Sequence, residues 1–171
     1  MAAEKRDFAA PLEGLVYWDA SFAVANLTDV HRFHVPCREF GDRFEAESSL
    51  AVISDFVLNE VAFLAVKGAL VAEARRTGRR WLDVKRERPD ALRAALAAFA
   101  PKRAQLEAQA LSLALPDTVT DRAFQLMHNF ALLPTDAYHL ATGLENGVEA
   151  FVTLDQDFLA VDDIIVYTCL G

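Results

Sequence analysis

Short runs that are apolar at every position alternate along this chain with longer stretches whose apolar residues recur at helical spacing. Leu15 to Trp18 and Leu50 to Ile53 are such runs, and "EAFVTLD" and "DIIVYT" read the same way near the C-terminus. Uniformly apolar runs of this length predict strands buried on both faces. The stretches between them predict helices. Ser21 to Leu27 opens with Ser21 as an N-terminal cap. Ser54 caps a long helix to about Arg76, which "RRTGRR" closes with a basic last turn and a glycine. "RERPDALRAALAAF" and "PKRAQLEAQALSLA" predict two helices, each started near a proline. "TDRAFQLMHNF" predicts another, and "LLPTDAYHLATGLENG" one that enters at Pro134 and Thr135 and ends at Gly147. Thr28 to Glu47 has no clean period and predicts a loop with part of a helix. Phe22, Phe56, Phe63 and Phe124 stand at apolar helical positions and predict core. Strands alternating with helices predict an α/β fold, a short parallel sheet sandwiched by helices. The consecutive helices between Glu60 and Asp136 form a helical excursion from that plan.

Composition narrows this picture. A length of 171 residues suits one domain over 1–171, and 53% hydrophobic residues supply a core. No apolar run is long enough to span a bilayer, and "MAAEKRDFAAPLEG" lacks the apolar centre of a signal peptide. A cytoplasmic protein is the expectation. Cys37 and Cys169, far apart in the chain, do not suggest a disulfide framework. The net charge of -8 argues against a protein that simply coats nucleic acid. That charge is unevenly spread: from Arg75 to Arg103, Lys and Arg outnumber acids ten to three. On charge alone such a segment is a solvated helical face.

The acids carry the chemistry. In an open α/β sheet, sites form beyond the carboxyl ends of the strands. Asp19 directly follows the first strand, and Asp155 stands just past "AFVT". Glu60 lies two turns into the helix after Leu50 to Ile53, and Asp136 is in the first turn of its own helix. Each has a plain structural role available as a turn residue, a helix cap or a favourable charge at a helix N-terminus. Gathered at one sheet edge, however, they would repel one another unless a cation sat among them. An all-oxygen donor set suits one or two Mg²⁺ or Mn²⁺ ions. His31, His34 and Cys37 in "HRFHVPC" lack a fourth zinc ligand. His139 shares a helix face with Asp136 and is expected to pack beside the site. There is no Gly-rich phosphate loop.

"VYWDAS", then "SDFVLNEVAFL", then "LLPTDAYHLATGLENGVEAFVTLDQDF" resemble the successive motifs of the PIN-domain nucleases, many of which are VapC-like toxins. The third block carries the likeness furthest, with Asp-Ala-x-His-Leu-Ala, a glycine turn, a strand and Thr-x-Asp in order. The resemblance implies that Asp19, Glu60, Asp136 and Asp155 are a metal-holding catalytic tetrad. It matches Ser21 and Thr153 to small hydroxyl residues that orient the site, and Asp157 to a less constant acid. It further implies a Mg²⁺- or Mn²⁺-dependent endoribonuclease with RNA as substrate, a small antitoxin as partner, and a homodimer. The stretch from Glu60 to Asp136 exceeds the helical hairpin of compact toxins of this family, and it holds the basic segment.

An acidic edge repels phosphates, so RNA must be drawn by positive charge elsewhere. Arg79, Arg80, Lys85 and Arg86 are therefore expected to contact RNA backbone, with Trp81 as a stacking partner. Two alternatives stand beside this reading. One is a Mg²⁺-dependent small-molecule phosphohydrolase, although a haloacid-dehalogenase-like enzyme would carry Asp where Ser21 stands. The other is a PIN fold that only binds RNA or a partner, although none of the four acids has been lost.

Overall fold

A computed structural model of the chain describes residues 2–171. Among these residues one all-parallel sheet is built from β1 (Glu4–Arg6), β2 (Leu15–Trp18), β3 (Leu50–Ile53), β4 (Leu111–Ser112), β5 (Ala150–Val152) and β6 (Ile165–Tyr167). Its order is β1-β6-β5-β2-β3-β4. The helices are α1 (Ala20–Leu27), α2 (His34–Ala46), α3 (Asp55–Thr77), α4 (Trp81–Glu87), α5 (Pro89–Gln109), α6 (Val119–Phe130) and α7 (Pro134–Glu145). A short 3₁₀ turn spans Gln156–Ala160. The expected α/β architecture and its helical excursion are both present.

β2 is central because every residue from Val16 to Trp18 is fully buried. Tyr17 is in register with Val52 on one side and Phe151 on the other. A parallel sheet buried on both faces needs such uniformly apolar strands. The Asp19 amide then donates to the Val152 carbonyl at 3.0 Å, so the β2 and β5 ends stay joined where the chain leaves the sheet. α7 lies unusually close to β5. A Cβ added at Gly143 would stand 2.6 Å from the Phe151 ring, a distance that only glycine permits. That approach fixes α7 with its N-terminal turn at the carboxyl edge of the sheet.

Two apolar cores form. The main core packs both faces of the sheet and includes Trp18, Phe22, Phe40, Leu140, Phe151 and Tyr167. A second, small one gathers Leu70, Ala74 and Val84, with Val66, Trp81, Ala91 and Leu92 against it. It joins the outer half of α3 to α4 and the start of α5, so the excursion carries its own packing.

Several local expectations are corrected. Asp19, not Ser21, caps α1, and its side chain accepts from the Ser21 amide. A carboxylate one position earlier simply reaches the free amides better. Ser54 stands at the N-cap of α3, but its hydroxyl makes no cap bond and meets the Tyr17 hydroxyl at 2.6 Å instead. Pro89 does open α5, whereas Pro101 lies inside that helix rather than starting a second one. Alanine and leucine on both sides favour helix strongly enough to carry it through the missing amide. The uncertain stretch after Thr28 contains the whole of α2, and "RWLDVKRE" adds the short α4. Phe22 is buried and Phe56 half-buried, but Phe63 and Phe124 are 52% and 62% exposed and are not core. β1 and β4, short edge strands with exposed residues, have no apolar signature to detect.

Candidate active site

The carboxyl ends of β2 and β5 meet through a pair of hydroxyls. Asp19, 4% exposed, accepts at Oδ2 from the Ser21 amide at 3.1 Å, Ser21 Oγ at 2.5 Å and Thr153 Oγ1 at 2.9 Å. Each hydroxyl accepts in turn from the strand-end backbone: Ser21 Oγ from the Leu154 amide and Thr153 Oγ1 from the Asp155 amide, both at 2.9 Å. One oxygen of Asp19 is thus saturated by three donors. The Asp19 Oδ1 atom is left facing the site, 3.7 Å from His139 Nε2.

Asp155 caps the 3₁₀ turn by accepting from the Asp157 amide at 2.9 Å. This turn swings Asp157 back towards Asp155. Single oxygens of Asp136, Asp155 and Asp157 consequently lie within 4.8 Å of one another. The sequence ranked Asp157 as supporting, whereas the geometry groups it directly with Asp136 and Asp155. The pKa of Asp136 is pushed up to about 6, first by burial and then by the charges of Asp155, Asp19 and Glu60, with His139 opposing. A carboxyl that feels three other carboxylates in this way lies among them. The structure therefore brings Asp19, Glu60, Asp136, Asp155 and Asp157 into one electrostatic group.

Glu60 is held from below. Its Oε2 lies 3.0 Å from His139 Nε2, and His139 Nδ1 lies 3.0 Å from the Tyr17 hydroxyl, which meets Ser54 Oγ. His139 is fully buried. Burial lowers its pKa, but the bond to Glu60 and the charges of Asp19, Glu60 and Asp136 outweigh that and raise it overall. Burial also drives the Tyr17 pKa upwards, so its hydroxyl stays neutral and can donate to or accept from the ring. The sequence placed His139 beside the site but missed this chain of partners. The only signal was His139 standing three residues after Asp136, since Tyr17 and Ser54 read as strand core and helix cap.

The basic residues lie elsewhere. From Glu60 to the end of α3 the helix runs about 25 Å at 1.5 Å per residue. Arg79, Arg80, Lys85 and Arg86 follow that far end. Arg79 pairs with Glu87, while Arg80, Lys85 and Arg86 are exposed apart from a half-buried neighbour, Trp81, in the small core.

All-oxygen donors around an acid whose charge is resisted by its neighbours fit a hard divalent cation. Asp136, Asp155 and Asp157 offer the donors, with Asp19 Oδ1 beside His139.

The PIN domain model matches residues 16–164, a span that contains every acid of this site. No curated protein matches the chain. Among solved structures it is similar to Mycobacterium tuberculosis VapC20, a Sarcin-Ricin loop cleaving toxin. That likeness has 19% identity and a TM-score of 0.54, and covers 87% of this chain and 96% of that one. It is also similar to VapBC2 from Rickettsia felis, solved bound to a DNA fragment from their promoter. There the identity is 11% and the TM-score 0.54, over 90% of this chain and 98% of that one. At these identities the likeness is one of fold, and it agrees with the parallel sheet and flanking helices. A match that spans β3 to β5, most of β2, the hydroxyl pair and the acids together assigns the chain to the PIN domain family.

Proposed function

We propose that this chain is a Mg²⁺- or Mn²⁺-dependent endoribonuclease and the toxin of a toxin–antitoxin pair. The observation that carries the reading is the convergence of Asp136, Asp155 and Asp157 oxygens within 4.8 Å, with Asp19 and Glu60 acting electrostatically on the same group. The fold it shares with a toxin that cleaves the Sarcin-Ricin loop supports RNA as substrate. The single domain 1–171, a small antitoxin, a homodimer and a cytoplasmic setting belong to the same proposal. No helix among the described residues is long and apolar enough to cross a membrane, which is compatible with it.

Asp136, Asp155 and Asp157 would hold the ion, with Asp19 and Glu60 completing the acidic wall. The ion supplies Lewis acidity, making water nucleophilic near neutral pH and offsetting charge on the scissile phosphate. The chain's own residues position that chemistry. Ser21 and Thr153 fix Asp19 so that one oxygen faces the site and the other is fully bonded. His139 holds Glu60 in place beneath the acids, and their charges raise its pKa. Arg79, Arg80, Lys85, Arg86 and Trp81 would contact substrate away from the cut, beyond the far end of α3. Water attack on phosphorus yields a 5′-phosphate and a 3′-hydroxyl. Purified protein should cut RNA with Mg²⁺ or Mn²⁺, leave those ends, and stop in EDTA. Undiminished cutting in EDTA would overturn the metal mechanism.

A further inference from the structure

α3 carries one face that begins at the acids and leads away from them. Phe56, Glu60, Phe63 and Lys67 follow at helical spacing, so their side chains align along it. Between this face and the start of α7 lies a cleft of about 400 Å³, lined by Phe56, Asn59, Glu60, Phe63 and Tyr138 among others. Its size is within the range of small-molecule pockets. The Phe56 and Tyr138 rings lie 5.0 Å apart and tilted, both half-buried. Phe63 leaves 52% of its surface open. Lys67 Nζ sits 5.5 Å from the Phe63 ring centre and 5.9 Å from that of Trp81, with no ion-pair partner among the described residues.

We infer that this cleft is a nucleobase subsite for the RNA substrate, with Lys67 contacting the phosphate beside the bound base. The inference rests on the nuclease reading and specifies it further. Glu60 belongs to both the acidic group and the cleft wall, so a strand with a phosphate at the acids brings a neighbouring nucleoside to the cleft. Aromatic rings accept the face of any base, and the Asn59 amide can meet a base edge. A second copy of the chain would be a poorer occupant. Protein interfaces exclude Lys and Glu from their apolar centres, yet here Glu60 and Lys67 interrupt the aromatic strip. Alternating ring and cation suit a strand that alternates base and phosphate.

The test measures binding of a short fluorescent single-stranded RNA by anisotropy in EDTA, where no cutting is expected. A set of the same RNA carries one abasic residue at each position in turn. Cleavage with Mn²⁺ is read in parallel. For the wild-type protein, removing one particular base should weaken binding by about 5- to 150-fold, the range for loss of one base–aromatic stack. Phe63→Ala should bind the intact and abasic RNAs alike. Phe124→Ala, which removes a somewhat more exposed ring outside the cleft, should keep the wild-type contrast. An unchanged contrast in Phe63→Ala, or no sensitivity to any abasic position, overturns the inference. A shift of oligomer size in Phe63→Ala with an unchanged contrast overturns it in favour of a subunit interface. Failure of cleavage with Mn²⁺ refutes the nuclease reading separately, since the base contrast is read without catalysis.

Discussion

Neutralising Asp136 should stabilise the metal-free protein, and only where that acid would be ionised. Its pKa stands at about 6 in the fold against 3.8 as an ordinary Asp, because burial and three neighbouring carboxylates resist its charge. The folded state therefore holds this proton more tightly than the unfolded chain does. Its contribution to stability is present below about pH 4 and is lost as pH rises through about 6. At face value the shift corresponds to about 3 kcal/mol. The carboxyl is only half-buried, so solvent screening leaves about 1–2 kcal/mol. Asp136→Asn removes the repulsion but also a charge that favours the α7 N-terminus, by about 0.3–1 kcal/mol. The net gain at about pH 7.5 is on the order of 1 kcal/mol, or roughly 2–4 °C in Tm for a chain of this size. Near pH 4 both side chains are neutral and the gain should vanish. Thermal unfolding in EDTA at the two pH values measures this directly. Mg²⁺ at about a hundredfold above its Kd should then raise the wild-type stability by about 2.7 kcal/mol and the variant's by less. An Asn variant with the same Tm difference at both pH values, or with a full Mg²⁺ response, would refute the reasoning.

Other substitutions separate the roles of neighbouring groups. Asp155→Asn should abolish RNA cleavage, and Asp157→Asn should weaken it together with Mg²⁺ affinity, read by calorimetry; unaltered Mg²⁺ binding in Asp157→Asn would remove that acid from the site. Gly143→Ala should destabilise the fold by about 1–3 kcal/mol, the usual range for overpacking, because its methyl meets the Phe151 ring at 2.6 Å; an unchanged Tm would mean that α7 has room to shift. Replacing Arg79, Arg80, Lys85 and Arg86 together by Ala should weaken RNA binding and lower its log–log salt slope by roughly one or less for each phosphate no longer neutralised. An unchanged slope would show those charges to be an ordinary solvated surface.

The parts of the site written in contiguous sequence were legible. Asp19 and Asp155 each follow a buried strand directly, and Asp136 opens a helix marked by Pro134, so strand polarity alone sends them to one edge. The grouping of Asp157 with them was not legible, because it depends on how tightly the 3₁₀ turn folds behind Asp155. The Glu60–His139–Tyr17–Ser54 chain was missed for another reason. Its members come from two strand–helix units and the separate α7, and each looks satisfied by its local role. Among the elements, β1 escaped notice because Glu4, Lys5 and Arg6 join the sheet by backbone pairing with β6 and bury little side chain. Phe63 and Phe124 misled in the opposite sense: helical spacing shows that residues share a face, and does not say whether anything covers it.

The separation of Leu70, Ala74 and Val84 from the main core has a consequence for how the molecule opens. A small cluster at the far end of a long helix can come apart while the sheet stays closed, so it forms a cooperative unit of low stability. Backbone amides of α4 and the outer turns of α3 should lose protection against hydrogen exchange in excursions that never reach Val16 or Tyr17. Those buried strand amides exchange only when the whole domain unfolds. The basic arm and the acidic edge would thus sit on two tiers of rigidity, a deformable cluster of positive charge joined by one continuous helix to a fixed set of acids.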